Sequence, residues 1–229
     1  MKKKTLIALI SAVLIACIAV VGTVAYLTNV QNAIKNVFTI GNVDIELEEE
    51  GGEPTDPEDP NSPKNFPLVP NTTMTKDATI TVGKTSQDAY IFAIVEETCT
   101  AVKSTDPKTE YYTFGDYVDY SFDTANWTKL DGYNNVYYIK YTAPDTTPEN
   151  DTVYHLIADT DEDDKGDVTV KDLSEELIAA AKDADISLSF QAAAVQAEGL
   201  KGDTDAKKLA EAWGAVEESI TIDTGKITK

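Results

Sequence analysis

The chain has 229 residues, with 40 aspartates and glutamates against 19 basic residues and a net charge of −21. Every basic residue is a lysine; arginine does not occur. A surface this acidic repels phosphate backbones and anionic headgroups, which argues against nucleic acid and charged lipid as partners.

Lys2, Lys3 and Lys4 precede an uncharged apolar run from Leu6 to Val24, and Thr23-Val24-Ala25 offers small residues at the positions a signal peptidase reads. This pattern predicts an export signal, an N-terminal helix over residues 1–25, cut between Ala25 and Tyr26. Two other readings stay open. About nineteen apolar residues at 1.5 Å rise reach across a hydrocarbon core of roughly 30 Å, so an uncleaved segment would serve as a membrane anchor. In that case the lysines face the cytoplasm and the remainder faces outward. Leu14-Ile15-Ala16-Cys17 also fits a loose lipobox, although Ile18 to Val21 remain apolar where a lipoprotein turns polar. Without residues 1–25 the balance becomes 16 lysines against 40 acids, a net charge of −24. Cys99 is then the one cysteine left, so no intramolecular disulfide can form and the fold must rest on its core. Cys99 closes a strand end that passes from apolar (Ile91–Val95) to polar (Glu96–Thr98), and is expected to be a buried structural thiol rather than an intermolecular bridge. Residues 26–229 suffice for a single all-β domain.

Beyond a polar stretch with spaced apolar residues (Tyr26, Leu27, Val30, Ala33, Ile34), Val37 to Leu47 reads as a strand, alternating from Val43 onward. Residues 48–65 are acidic, with prolines 54, 57, 60 and 63 at three-residue spacing, and predict an exposed loop. Strands are predicted at Ala78–Val82, Ala89–Val95, Tyr117–Phe122, Val136–Tyr141 and Val153–Ile157, separated by turn-forming clusters. A further short strand is expected at Asp167–Val170. Asp172–Lys182 and Asp205–Val216 read as helices, the first with acids in its first turn and lysine at its end. The second places Leu209, Trp213 and Val216 on one face. Between them Ile186, Leu188, Phe190, Ala192 and Ala194 alternate along a long strand. Short strands this frequently punctuated indicate a mainly β, antiparallel sandwich or barrel with two short helices.

Gly22-Thr23-Val24-Ala25-Tyr26-Leu27-Thr28, followed by Asn36-Val37-Phe38-Thr39-Ile40-Gly41-Asn42-Val43-Asp44-Ile45, resembles the TasA/camelysin family of Gram-positive exported proteins. Leu27 stands where that family usually has phenylalanine. Val69-Pro70 with Ala78–Val82, Asp88-Ala89-Tyr90-Ile91, and Ala192–Gly199 with Ala212-Trp213 extend the likeness along the chain, with Asn71 where glycine is common. The resemblance implies a jelly-roll-like β-sandwich and processing by a SipW-type signal peptidase. It also implies a secreted subunit of extracellular biofilm-matrix fibres, in which the new N-terminal segment of one copy adds as a strand to the next. Residues 26–36 would be the donor, with Tyr26, Leu27, Val30 and Ile34 as anchors. Such addition is physically sound, because an open sheet edge exposes backbone groups that an extended peptide satisfies. The partner is then another copy, and membrane contact is confined to an uncleaved signal.

Camelysin-type proteins raise the case for a metallopeptidase, but the single histidine, His155, has no H-E-x-x-H around it and no second histidine to share a usual zinc site. No cofactor motif stands out. One calcium candidate exists: Asp161, Asp163 and Asp172 fall at loop positions 1, 3 and 12 when the stretch is aligned on Gly166. Lys165 sits at position 5, where an oxygen ligand is wanted. The plainer expectation is a solvated acidic turn. The leading expectation is thus a non-enzymatic exported structural subunit. A monomeric secreted or surface binding module, with or without calcium, is the alternative, and a protease comes last.

Overall fold

The computed structural model describes residues 36–54, 64–104, 108–160 and 165–227. The predicted signal segment lies outside them; among the described residues no helix is long and apolar enough to cross a membrane. The chain is mainly β. In order, the strands are β1 (Asn36–Ile40), β2 (Ile45–Glu50), β3 (Glu53–Pro54), β4 (Lys64–Asn65), β5 (Thr72–Thr75), β6 (Asp77–Val82), β7 (Ala89–Cys99), β8 (Val102–Ser104) and β9 (Glu110–Tyr111). They continue as β10 (Val118–Tyr120), β11 (Thr128–Lys129), β12 (Val136–Tyr141), β13 (Thr152–His155), β14 (Asp167–Val170) and β15 (Ile186–Gln196). Helix α1 (Glu175–Ala181) precedes β15 and helix α2 (Asp205–Val216) follows it.

β15 and β7 form the spine, paired antiparallel over eleven residues each from Ile186↔Cys99 to Gln196↔Ala89. They lie in a five-stranded sheet of order β1-β15-β7-β12-β11. The period-2 alternation of a strand sends its two residue sets to opposite faces. Here both sets are buried. Ile91, Ala93, Val95, Leu188, Phe190, Ala192 and Ala194 join the main core with Leu47, Ile80, Val82, Val168 and Val170 of the other sheets. Tyr90, Phe92, Ile94, Ala193 and Val195 meet Ala212, Trp213 and Val216 of α2 in a second core. The sheet is therefore a middle layer, which explains why Ala89–Val95 is an unbroken apolar run rather than an alternating one.

The opposing layer is two three-stranded sheets, β13-β6-β2 and β10-β14-β5. β5 and β6 are separated by Lys76 alone, whose amide donates to the Gly166 carbonyl at 2.8 Å. The chain thus kinks from one small sheet into the other at a single residue. β2 carries Ile45 and Leu47 inward, as alternation predicts, and runs on through Glu50. Residues 48–50 are therefore strand, not the start of a loop, and Glu49 takes the third inward place. Residues 55–63, the centre of the predicted acidic loop, lie outside the described residues.

Most predicted elements sit where the pattern places them: β12 and α2 keep the predicted bounds, and β6 gains one residue. Helix α1 begins at Glu175 rather than Asp172 because Ser174 caps it, its side chain accepting from the Leu177 amide. Tyr117–Phe122 shortens to β10, with Phe122 making an isolated bridge to Ile157. Asn71 has φ 59°, alone among the described non-glycine residues in being positive. Asparagine tolerates this left-handed conformation, as glycine does.

Candidate functional site

Among the described strands β1 is the one that pairs in parallel; every other described ladder is antiparallel. It lies against β15 from Asn36↔Gln191 to Ile40↔Val195. β15 starts five residues earlier, at Ile186, so among the described strands residues 186–190 are paired on the β7 side only. Leu188 and Phe190 of this stretch are buried in the main core. The margin therefore combines a fixed backbone with ladder positions that have no partner among the described strands; an open edge of this kind can accept an added strand.

A tight corner holds β1 there. Gly41 has φ 94°, and a Cβ at that position would approach the Gln196 side chain to 2.6 Å. The Asn42 amide donates to Gln196 Oε1 at 2.9 Å, and the Gly83 amide donates to the Asp44 carbonyl at 2.8 Å. Val37–Leu47, read from sequence as one strand, is thus two strands in different sheets, broken at a glycine that only a left-handed turn requires. The predicted cleavage pair Ala25 and Tyr26 and the predicted anchors Tyr26, Leu27, Val30 and Ile34 lie outside the described residues; the described margin begins two residues beyond Ile34.

A second feature was not foreseen. An open groove of about 360 Å³ is lined by Glu96, Glu97, Tyr120, Asn135, Tyr137 and Asp223 among others. The Tyr120 hydroxyl donates to Glu97 Oε1 at 2.9 Å, and Tyr137 stacks on Phe122 with ring centroids 3.8 Å apart. Burial, and then the Glu97 charge, push both the Tyr120 and Tyr137 phenols above the ordinary tyrosine range. Such a groove disfavours further negative charge and suits neutral or positive polar groups. Its outer wall is a C-terminal strap. Asn135 Nδ2 donates to the Asp223 carbonyl at 2.6 Å and to the Val95 carbonyl, and the Ile227 amide donates to the Gly132 carbonyl at 2.8 Å. The groove's residues come from four distant segments, which no spacing in the sequence brings together.

His155 shares a hydrogen bond from Nδ1 to Asp77 Oδ1 at 2.8 Å, and the same oxygen accepts the Gly166 amide at 3.1 Å. This pair clips the segment before β14 onto β6. Asp172 lies at the far end of β14 and accepts from Asn71 Nδ2 at 3.2 Å. Gly166 and Asp172 are held apart by four extended residues, roughly 13 Å of strand. Gly166 is not in the left-handed range a calcium loop's turn glycine adopts; a Cβ there would meet Ile157 Cβ at 2.7 Å, so close packing accounts for it. Asp161 and Asp163 lie outside the described residues. Among the described residues no group of three or more His, Cys, Asp or Glu is arranged to hold a metal. Cys99 is free and half-buried rather than fully buried, and burial raises its thiol pKa above the ordinary value.

No family model, no curated protein and no solved structure matches the chain.

Proposed function

We propose that this chain is an exported, non-enzymatic structural subunit that assembles into extracellular matrix fibres by adding its N-terminal segment to the sheet margin of another copy. On this reading a signal peptidase cuts between Ala25 and Tyr26, the sheets form a jelly-roll-like sandwich, and residues 26–34 become a donor strand. The observation that carries it is the stretch Ile186–Phe190 of β15, which among the described strands is paired on its β7 side alone, beside the strand into which the N-terminal segment leads. The N-terminal likeness to the TasA/camelysin family supports the same reading.

Continued along β1's register, the chain's own Ile34 would fall opposite Ser189, the place that a donor from another copy takes instead when the chains exchange segments. The test is a pair of cysteines, Ile34→Cys with Ser189→Cys in a Cys99→Ser background, oxidised after secretion. Disulfide-linked ladders and filaments in the electron microscope are expected, and deletion of residues 26–34 should leave monomers. Exclusively intramolecular disulfides in concentrated protein, or filaments that survive the deletion, overturn the proposal.

The groove at Glu97, Tyr120 and Tyr137 favours a second reading, a monomeric secreted or surface binding module. A mature chain that stays monomeric across concentration and pH selects it. A calcium titration followed by melting temperature, with Asp161→Ala and Asp163→Ala as controls, decides whether calcium assists.

A further inference from the structure

Lys76 has a side chain 2% exposed, inside a core that is otherwise almost entirely apolar. Its Nζ lies 2.8 Å from Glu49 Oε1, and the Glu49 side chain is 8% exposed. The Phe66 ring centroid is 4.5 Å from Nζ and that of Phe190 is 5.9 Å away. Beside the ammonium is an apolar space of about 10 Å³, lined by Leu68, Met74, Phe114 and Leu188 among others, with room for at most one water. Lys76 stands at the kink between β5 and β6, and Glu49 at the third inward position of β2.

We infer that Lys76 and Glu49 condense in the folded chain to an amide cross-link, Nζ to Cδ, that staples β2 to the β5–β6 kink. Two separated charges are poorly solvated in such a site, and desolvation is the main influence on Lys76, lowering its pKa. Passing one proton from Nζ to the carboxylate across 2.8 Å gives a neutral amine beside a neutral carboxylic acid, the reactants for condensation. The amine lone pair then forms the Nζ–Cδ bond. The Cδ–OH bond breaks, an amine proton goes to the departing hydroxyl, and one water leaves. No oxidant, reductant or co-reactant enters the balance. Holding two groups in contact is equivalent to effective concentrations of roughly 10⁵–10⁸ M, and a water-poor surrounding favours the amide over its hydrolysis. The two phenylalanine rings and the β2–β6 ladder keep the partners from separating.

The staple fits what the sequence lacks. With Cys99 alone after Ala25, the chain cannot form an internal disulfide, and an amide provides a covalent tie that no redox condition undoes. It would close a ring from residue 49 to residue 76, tying the base of the acidic proline-rich segment. The inference does not depend on fibre assembly, and its test is blind to it.

The experiment is intact mass spectrometry of the purified full chain after denaturation, followed by tryptic mapping. Any signal cleavage is accounted for by the observed N-terminus. The cross-linked chain is lighter than its sequence by one water. Trypsin then yields residues 36–64 and 65–84 as one branched peptide, because amidated Lys76 is no longer a cleavage site. Lys76→Met and Glu49→Ala carry their full sequence masses and give no branched peptide. Folded wild-type chain at full sequence mass, with residues 65–76 and 77–84 recovered as separate peptides, overturns the inference. Because the wild-type measurement decides alone, poor folding of either variant does not blunt the test.

Discussion

Replacing Trp213 by alanine reports how firmly α2 holds the middle sheet. Trp213 is 5% exposed, with its ring centroid 5.1 Å from that of Phe92 and 5.2 Å from that of Tyr133. A buried indole removes on the order of 200 Å² from water, about 5 kcal/mol at roughly 25 cal/mol per Å². Alanine retains about a quarter of that, while the two lost ring contacts add about 0.5–1.5 kcal/mol each. Against this, Trp213 Nε1 is buried without a hydrogen-bond partner among the described residues, so removing it returns about 1–3 kcal/mol. The net expectation is a loss of about 2–6 kcal/mol, which for a domain of this size lowers the melting temperature by about 4–24 °C. Trp213→Phe keeps most of the ring packing and sheds the orphan N–H, so it should cost no more than about 1 kcal/mol. Calorimetry of the two variants checks both values. Equal losses for alanine and phenylalanine would refute the reasoning, because the indole N–H would then have a partner the geometry does not provide.

Gly41→Ala forces a side chain into a left-handed turn and against Gln196, so β1 amides should lose hydrogen-exchange protection while those of β7 keep theirs. Unchanged protection in residues 36–40 would mean the corner does not position β1. Thr204→Ala removes the side-chain acceptor of the Lys207 amide at the start of α2 and should cost about 1 kcal/mol, read as a small drop in melting temperature. The Lys226 ammonium, helped by the Tyr133 hydroxyl, holds the Glu217 carboxyl below the usual glutamate range. A depressed carboxylate contributes stability that is present above its unfolded pKa, about 4.3, and is lost as pH falls through the lower folded value. Hydrogen-exchange protection in residues 220–227, taken relative to the intrinsic exchange rate, should therefore fall in acid but stay level between pH 5 and 7. Lys226→Met should flatten that dependence, and added salt should weaken it, because the pair is largely exposed.

Local pattern was enough for elements whose reasons are local. The alternation of Val136–Tyr141 and the apolar face of Asp205–Val216 each belong to one segment, and each element appears with the predicted bounds. What escaped was decided by tertiary partners. Glu49 looks like the start of a solvated acidic run, yet it follows Ile45 and Leu47 at the strand period, and Lys76 supplies the countercharge that lets it turn inward. The break at Gly41 was visible as a glycine, but whether it ends a strand depends on Gln196, more than 150 residues later. The groove was illegible for the same reason, since Glu97, Tyr120, Tyr137 and Asp223 share no spacing. Gly166 shows the converse: the calcium-loop alignment was anchored on it as a turn residue, whereas in the structure Ile157 leaves no room for a side chain there.

Both faces of the five-stranded sheet are occupied, one by the opposing small sheets and the other by α2 with the C-terminal strap. Strand-mediated association through this sheet must therefore go through its edges. At one edge β11 covers only two residues of β12; at the other, β1 leaves Ile186–Phe190 beside the entry point of the N-terminal segment. That proximity sets up a competition. Residues 31–35 precede β1 directly, so lying back along their own β15 costs only their backbone ordering, about 1–2 kcal/mol per residue, with no loop to close. Reaching another copy costs the same ordering plus the loss of translational and rotational freedom, offset by whatever residues 26–30 bury on the second molecule. Polymerisation by this route is consequently concentration-dependent, with self-completed monomers favoured on dilution. On the proposed assembly, light scattering across a dilution series should show fibres shedding monomers whose segment 31–35 becomes protected within the same chain. Fibres that persist at any dilution without covalent links would mean that a different surface joins the copies.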